Sequence, residues 1–224
     1  MAVDAAPSAS AGDLKSFSMT PAAVPLFEPL VLAGRAVKLV PLAPEHLPAL
    51  SAAGTDPAIF RYYPVDFSGV SGMKLFFDDA FRTRELGSAL PFAVIVAGEP
   101  VGSTRFGNIE RKHRRAEIGW TWLTPRVQRS AVNTEMKYLM LSHAFETLRL
   151  MRVEFKTDSL NEPSCRALLR IGALEEGTFR NHMISQHGRI RHSVYFSITD
   201  QDWPLVKASL EQKLGLDYSR SRAA

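Results

Sequence analysis

Gln128-Arg129-Ser130-Ala131-Val132-Asn133 is the stretch that decides how this chain is read. Before it lies an extended run, Glu117-Ile118-Gly119-Trp120-Thr121-Trp122-Leu123, and after it a helical run that starts near Thr134. A strand, a short loop and a helix in that order leave free backbone N–H groups at a helix N-terminus. Such a terminus suits an anion, best a phosphate or pyrophosphate. Loops of this kind usually carry glycine, yet none occurs between Gly119 and Gly172.

Working outward, Ala116–Leu123 alternates, which predicts Ile118, Trp120 and Trp122 on one face and Glu117, Gly119 and Thr121 on the other. The helix predicted over Thr134–Leu148 carries Tyr138, Leu141, Phe145 and Leu148 on one stripe. Arg152–Asp158 alternates again, with Val153 and Phe155 inward. A short helix from about Pro163 to Ile171 ends at Gly172. Strands follow near Gly177–Ile184 and Arg191–Thr199, then a helix over Trp203–Leu214 stopped by Gly215.

Towards the N-terminus, Val37–Val40 reads as a strand, and Glu45–Gly54 and Asp56–Tyr63 as short helices broken by prolines. Ser71–Leu86 reads as a longer helix ended by Gly87. Phe92–Ala97 and Val101–Ile109 are partner strands across a turn at Gly98-Glu99. The order predicts an α/β (α+β) domain with a mixed sheet. Residues 1–24 read as a flexible tail, 25–216 as one domain and 217–224 as a second tail.

Composition narrows the class. The chain has 224 residues, 46% hydrophobic and 22% charged, which is ordinary for a soluble globular protein. No apolar run is long enough for a bilayer, and no secretory signal is recognised, so the expected location is the cytoplasm. One cysteine, Cys165, leaves no internal disulfide and no Cys-rich metal site; it reads as an inert thiol. A net charge of +4 favours anionic partners, but a nucleic-acid reading would rest on that charge alone. The main basic cluster, Arg111-Lys112-His113-Arg114-Arg115, reads as a solvated hairpin tip or as a patch attracting a phosphorylated cofactor or an acidic acceptor.

Residues 116–133 resemble the fourth strand and pyrophosphate loop of the GNAT superfamily, the acyl-CoA-dependent N-acyltransferases. Asp158-Ser-Leu-Asn161-Glu-Pro-Ser164, with the helix after it and Glu175-Glu176-Gly177, resembles the family's next motif. Ser three residues after Asn is similar to the branch containing the ribosomal-protein N-terminal acetyltransferases. The resemblance implies a mostly antiparallel sheet with a splay between strands near 117–123 and 152–158, where a pantetheine arm lies.

It also implies the use of acetyl-CoA, with no metal, and direct attack by a primary amine on the thioester. The amine belongs to a protein N-terminus or to a small molecule. Cofactor contacts implied are Trp122, Leu123, Thr124, Gln128, Arg129, Ser130, Ala131, Val132, Asn133, Asn161 and Ser164. A backbone N–H at the end of the 117–123 strand would hold the oxyanion.

The catalytic candidates are Glu117, Ser164 and His182. Glu117 is a base by position, or else a surface carboxylate paired with Arg115 or Arg105. Ser164 is a donor to the departing sulfur, or else a first-turn hydroxyl satisfying its own helix. His182 stands beside Met183, which occupies the place of a Glu in the ribosomal-protein branch; it is a substitute base or a structural histidine. In the loop, Ala131 replaces a central Gly, and its methyl is expected to weaken CoA binding. A non-catalytic acyl-CoA-binding module is the alternative. A homodimer through the late strands is a family option that no residue pattern here carries.

Overall fold

The computed structural model describes residues 30–216. Both tails, and the first five residues of the domain expected over 25–216, lie outside that span. The elements are β1 (Leu32–Ala33), β2 (Lys38–Pro41), α1 (Leu47–Ala53), α2 (Gly69–Glu85), β3 (Leu90–Val96), β4 (Glu99–Glu110), β5 (Arg115–Leu123), α3 (Ala131–Ser142), β6 (Arg152–Asp158), α4 (Glu162–Arg170), β7 (Leu174–Ile184), β8 (Ile190–Thr199) and α5 (Trp203–Leu214). The strands form one sheet in the order β1-β2-β3-β4-β5-β6-β8-β7. Every pairing is antiparallel except β5 with β6.

Each face of the sheet buries its own apolar cluster. Phe106, Ile118, Leu141, Phe155 and Phe196 join Trp203 and Leu210 of α5 in one. Leu50 of α1, Met73 and Phe76 of α2, Phe60 and Trp122 form the other. The stripe expected on the helix after the loop is buried as expected, at Tyr138, Leu141, Phe145 and Leu148. That helix is shorter than expected, however. It begins at Ala131, ends at Ser142 and continues as a π-helical turn over His143–Thr147.

The alternation expected along β5 is broken by a bulge. Residues 119–122 of β5 face only 103–105 of β4, since Arg105 pairs with Gly119 and Ser103 with Trp122. Trp120 takes the extra position with a left-handed φ of 50°. The bulge turns Trp120 and Trp122 away from Ile118, so the three do not share a face as the sequence suggested. Glu117 instead lies on the tryptophan side. Its register partner is Gly107, and a Cβ at Gly107 would stand 2.3 Å from the Trp120 ring.

The parallel pairing of β5 and β6 covers only Arg115–Arg152, Ala116–Val153 and Glu117–Glu154. Beyond Glu117 the two strands part, which is the splay the sequence implied. The edges facing the gap carry backbone N–H and C=O groups with no neighbouring strand.

Candidate active site

The gap opens into a cleft of about 950 Å³. Glu117–Leu123, residues 128–130, Asn133 and Lys137 form one wall, and Phe155–Asp158 with one face of α4 form the other. The far end is closed by Ala58, Ile59, Tyr62, Tyr63, Pro64, Met183 and Arg191. Gln186 ties the β7–β8 hairpin to this segment, donating to the carbonyls of Phe60 at 2.7 Å and Tyr63 at 3.1 Å.

At the loop end, Ser130 caps α3. Its hydroxyl donates to Val127 O at 2.6 Å and accepts the Val132 N–H at 3.3 Å. One of the N–H groups available to an anion is therefore already held by the loop itself. Gln128 donates to Leu123 O at 2.8 Å and braces the turn. Arg129 takes a left-handed φ of 57°, the conformation a glycine adopts without cost. Ala131 is the first residue of the helix, and its φ is not left-handed. The strained backbone position in this loop is Arg129, whereas Ala131 keeps an ordinary helical φ.

Gln128, Arg129, Ser130 and Asn133 line the cleft, as do Trp122 and Leu123. Thr124, Ala131 and Val132 do not. Val132 turns its side chain into the core, and Thr124 Oγ1 is buried with no partner among the described residues. The hairpin tip at 111–114 lies at the opposite end of β5, about 25 Å from the loop for nine strand residues. The tip is therefore not part of the cleft.

Asn161 is the N-cap of α4, and its Oδ1 accepts the Ser164 N–H at 3.2 Å. The cap role considered for Ser164 belongs to Asn161. Both residues line the cleft, and Ser164 Oγ has no partner among the described residues. Leu168 and Ile171 stand on the same wall. Cys165 packs half-buried against the core outside the cleft, and burial together with the nearby Glu175 carboxylate raises its thiol pKa.

Glu117 is 5% exposed and pairs with neither Arg115 nor Arg105. Asn108 donates to its Oε2 at 2.8 Å, and Lys156 Nζ stands 3.5 Å from the same oxygen. Its carboxylate fills the space beside Gly119, where a Cβ would meet Oε1 at 2.7 Å. Glycine at 119 is what lets the acid fold back against its own strand. Arg115 pairs with Glu154, and Arg105 with Asp79.

His182 does not reach the cleft. Its Nδ1 shares a hydrogen with Ser193 Oγ at 2.9 Å, and its Nε2 faces the Tyr195 hydroxyl at 3.4 Å. Burial, then the charges of Lys156 and Arg191, lower its pKa. The placement favours the structural reading of His182.

Two cleft cations escaped the sequence reading. Lys137 is 5% exposed, donates to Thr121 Oγ1 at 3.1 Å and lies 5.5 Å over the Phe155 ring. Burial lowers its pKa to about 7, against a smaller upward pull from Glu117. Arg191 is 6% exposed at the far end. Lys137 lies four residues after Asn133, so helical spacing from the loop would have pointed into the cleft. No local signal marks Arg191.

A mixed sheet splayed between two parallel central strands, with a cleft running from a helix N-terminus to a buried carboxylate, is the fold of the GNAT acetyltransferases. Residues 36–174 match the Acetyltransferase (GNAT) domain family, and the chain belongs to that family. The N-acetyltransferase YoaA of Bacillus subtilis (strain 168), itself uncharacterised, is 35% identical over 85 residues, 38% of this chain and 48% of its own length. YdaF of the same organism, whose name provisionally makes it a ribosomal N-acetyltransferase, is 31% identical over 106 residues, 47% of this chain and 57% of its own. The chain thus spans about half the length of these two curated relatives. A crystal structure of a GCN5-related N-acetyltransferase from Brucella melitensis superposes with a TM-score of 0.77 at 29% identity, covering 84% of this chain and 86% of that one. Mycobacterium smegmatis RimJ, solved in complex with CoA-disulfide, shares the fold with a TM-score of 0.71 at 24% identity, covering 83% of this chain and 91% of that one.

Proposed function

We propose that this protein is a cytoplasmic N-acetyltransferase that moves an acetyl group from acetyl-CoA to a primary amine by direct attack in a ternary complex. The acceptor is a protein N-terminus or a small-molecule amine. The observation that carries this reading is the splay, which ends at the Glu117–Glu154 pair and leaves a buried carboxylate at the vertex of an open cleft.

The pantetheine arm enters between β5 and β6 and pairs with their free edges, Asn161 offering its amide. The pyrophosphate sits at the start of α3, where Arg129 adds a charge. Asn108 and Lys156 hold Glu117 in place, and it takes a proton from the acceptor's ammonium, so that the freed amine attacks the thioester carbonyl and later gives up its second proton to solvent as the amide forms. A backbone N–H at the β5 bulge holds the oxyanion of the tetrahedral intermediate. Collapse of the intermediate breaks the C–S bond, and Ser164 Oγ donates to the departing sulfur. The thiolate's own pKa of about 8.5 makes that help modest near neutral pH.

The test is a thermal shift with CoA and acetyl-CoA, followed by thiol release with a panel of amines. Stabilisation and amine-dependent release are expected, since a ligand of the native state must stabilise it. No shift at millimolar ligand would sink the proposal. A shift without turnover on any amine would favour the non-catalytic acyl-CoA-binding module.

A further inference from the structure

Two buried arginines lie on the acceptor side of the sheet, and their surroundings differ. Arg105, 1% exposed, has a counter-charge: Asp79 lies 2.9 Å from its Nη1. Its guanidinium is stacked between the Phe76 and Trp120 rings at 5.0 and 4.7 Å. Arg191 has neither. Its Nε donates to Ser193 Oγ at 3.0 Å and its Nη1 to Tyr62 O at 3.2 Å, both neutral acceptors. Its Nη2 makes no hydrogen bond among the described residues, and neither do Nε and Nη2 of Arg105; what sets Arg191 apart is the missing ion pair and its place on the cleft, which Arg105 does not line. The nearby buried carboxylate, Asp158, is engaged by Arg189 and by the Leu160 N–H at 3.0 Å.

A buried cation without an ion partner is costly unless something else supplies the charge. Arg191 lines the acceptor end of the cleft, the same cavity that Glu117 lines. Its neutral partners hold the guanidinium by one edge and leave a donor for a ligand. A guanidinium fixed in this way matches a carboxylate.

We infer that Arg191 is a specificity-determining residue that binds a carboxylate carried by the acceptor close to its reacting amine. The inference rests on the acetyltransferase reading above. The two charges then divide the work: Glu117 receives the ammonium and Arg191 receives the anion, which sets the orientation of the nitrogen towards the thioester. The carboxylate is either that of a free amino acid or the acidic side chain of a peptide's first residues. Ser193 steadies the guanidinium and links it to His182, which gives that histidine a positioning role rather than a chemical one.

The experiment compares kcat/KM for free amino acids with their α-amides, and for short amidated peptides with acidic or neutral first residues, in wild type and in Arg191→Gln. Comparing ratios between the two proteins cancels differences in amine basicity. In wild type the carboxylate-bearing member of one series is preferred, and the series that shows it identifies the source. In Arg191→Gln that member loses about 10- to 100-fold while its neutral counterpart changes less than about threefold. The KM for acetyl-CoA stays unchanged, and Arg191→Lys restores part of the preference.

Equal loss on both members, or no preference in wild type, overturns the inference while leaving the acetyltransferase reading intact. A raised KM for acetyl-CoA alone would put the anion on the cofactor and also overturn it. No turnover on any amine overturns both readings. Should Arg191→Gln fail to fold, product inhibition of wild type decides: in the series that wild type prefers, the N-acetylated product that bears the carboxylate must inhibit more strongly than its neutral counterpart, and equal inhibition in both series overturns the inference.

Discussion

The loop end of the cleft is made of main chain, whereas the acceptor end is made of side chains. At 128–133 the proposed anion site consists of N–H groups at the start of α3, which any sequence with the right turn can present. The side chains there either brace the loop, as Gln128 and Ser130 do, or tolerate it, as Arg129 does at positive φ. At the other end Glu117, Tyr62, Tyr63, Met183 and Arg191 come from three distant segments. Substitutions should therefore act very differently at the two ends.

The largest effect belongs to the acceptor end. Glu117→Gln keeps the Asn108 hydrogen bond but removes the base, so kcat should fall about 10²- to 10³-fold at neutral pH. The loss should shrink as pH approaches the pKa of the acceptor amine, because the free amine then needs no base. Steady-state rates from pH 6.5 to 9.5 check this. A loss that is flat with pH would reduce Glu117 to a structural carboxylate.

How legible each part was follows from the same contrast. The loop, the helix after it and the Asn161–Ser164 turn are local in sequence and fixed by spacing, so residue order located them. The stripe on α3 and the stop at Gly215 were readable for that reason too. The bulge at Trp120 was not, because one extra residue on one strand leaves no compositional mark, and it moved the tryptophans to the face that carries Glu117. Arg191 was invisible because its meaning depends on what fails to pair with it, and that is a property of the assembled structure.

Lys137 sits between the two ends and gives the next effect in size. Its pKa is lowered to about 7 chiefly by burial, with Glu117 pulling the other way. The unfolded chain protonates the same amine up to a pKa of about 10.4. Between those values the unfolded state binds the extra proton, so stability rises with pH from about 7 towards 10 through this group. Below about 7 both states are protonated and its contribution is flat. Lys137→Met should remove the rise and stabilise the protein most at pH 7 and below, by up to a few kcal/mol, or ~2 as a working figure. Urea unfolding at pH 6, 7, 8 and 9 measures the slope. An unchanged slope in the variant would place the titration elsewhere.

Ser164→Ala tests the donor to the departing sulfur, and here the effect should be smaller. A thiolate is a tolerable leaving group, so a loss in kcat of about three- to tenfold is expected, with the KM for acetyl-CoA little changed. The backbone cap of α4 is unaffected, since it belongs to Asn161. The melting temperature should therefore hold, which separates a chemical loss from a structural one.

The smallest effects belong to the loop, and they come as a pair. Arg129 occupies a left-handed position, so Arg129→Gly should relieve about 1 kcal/mol of backbone strain, partly offset by the greater freedom of glycine in the unfolded chain. The same change removes a charge from the anion site, so CoA should bind several-fold more weakly, and less so at high salt. Ala131→Gly carries the opposite expectation to the one its sequence position suggests. Ala131 is already helical and turned away from the cleft, so removing its methyl frees no space for a phosphate. It should leave CoA affinity unchanged and cost up to about 1 kcal/mol of stability through helix propensity, less at so terminal a position. Calorimetric titration of CoA with both variants, alongside their melting temperatures, separates the two. Tighter binding by Ala131→Gly would mean that the helix start shifts when the pyrophosphate arrives, and that the loop end depends on its side chains after all.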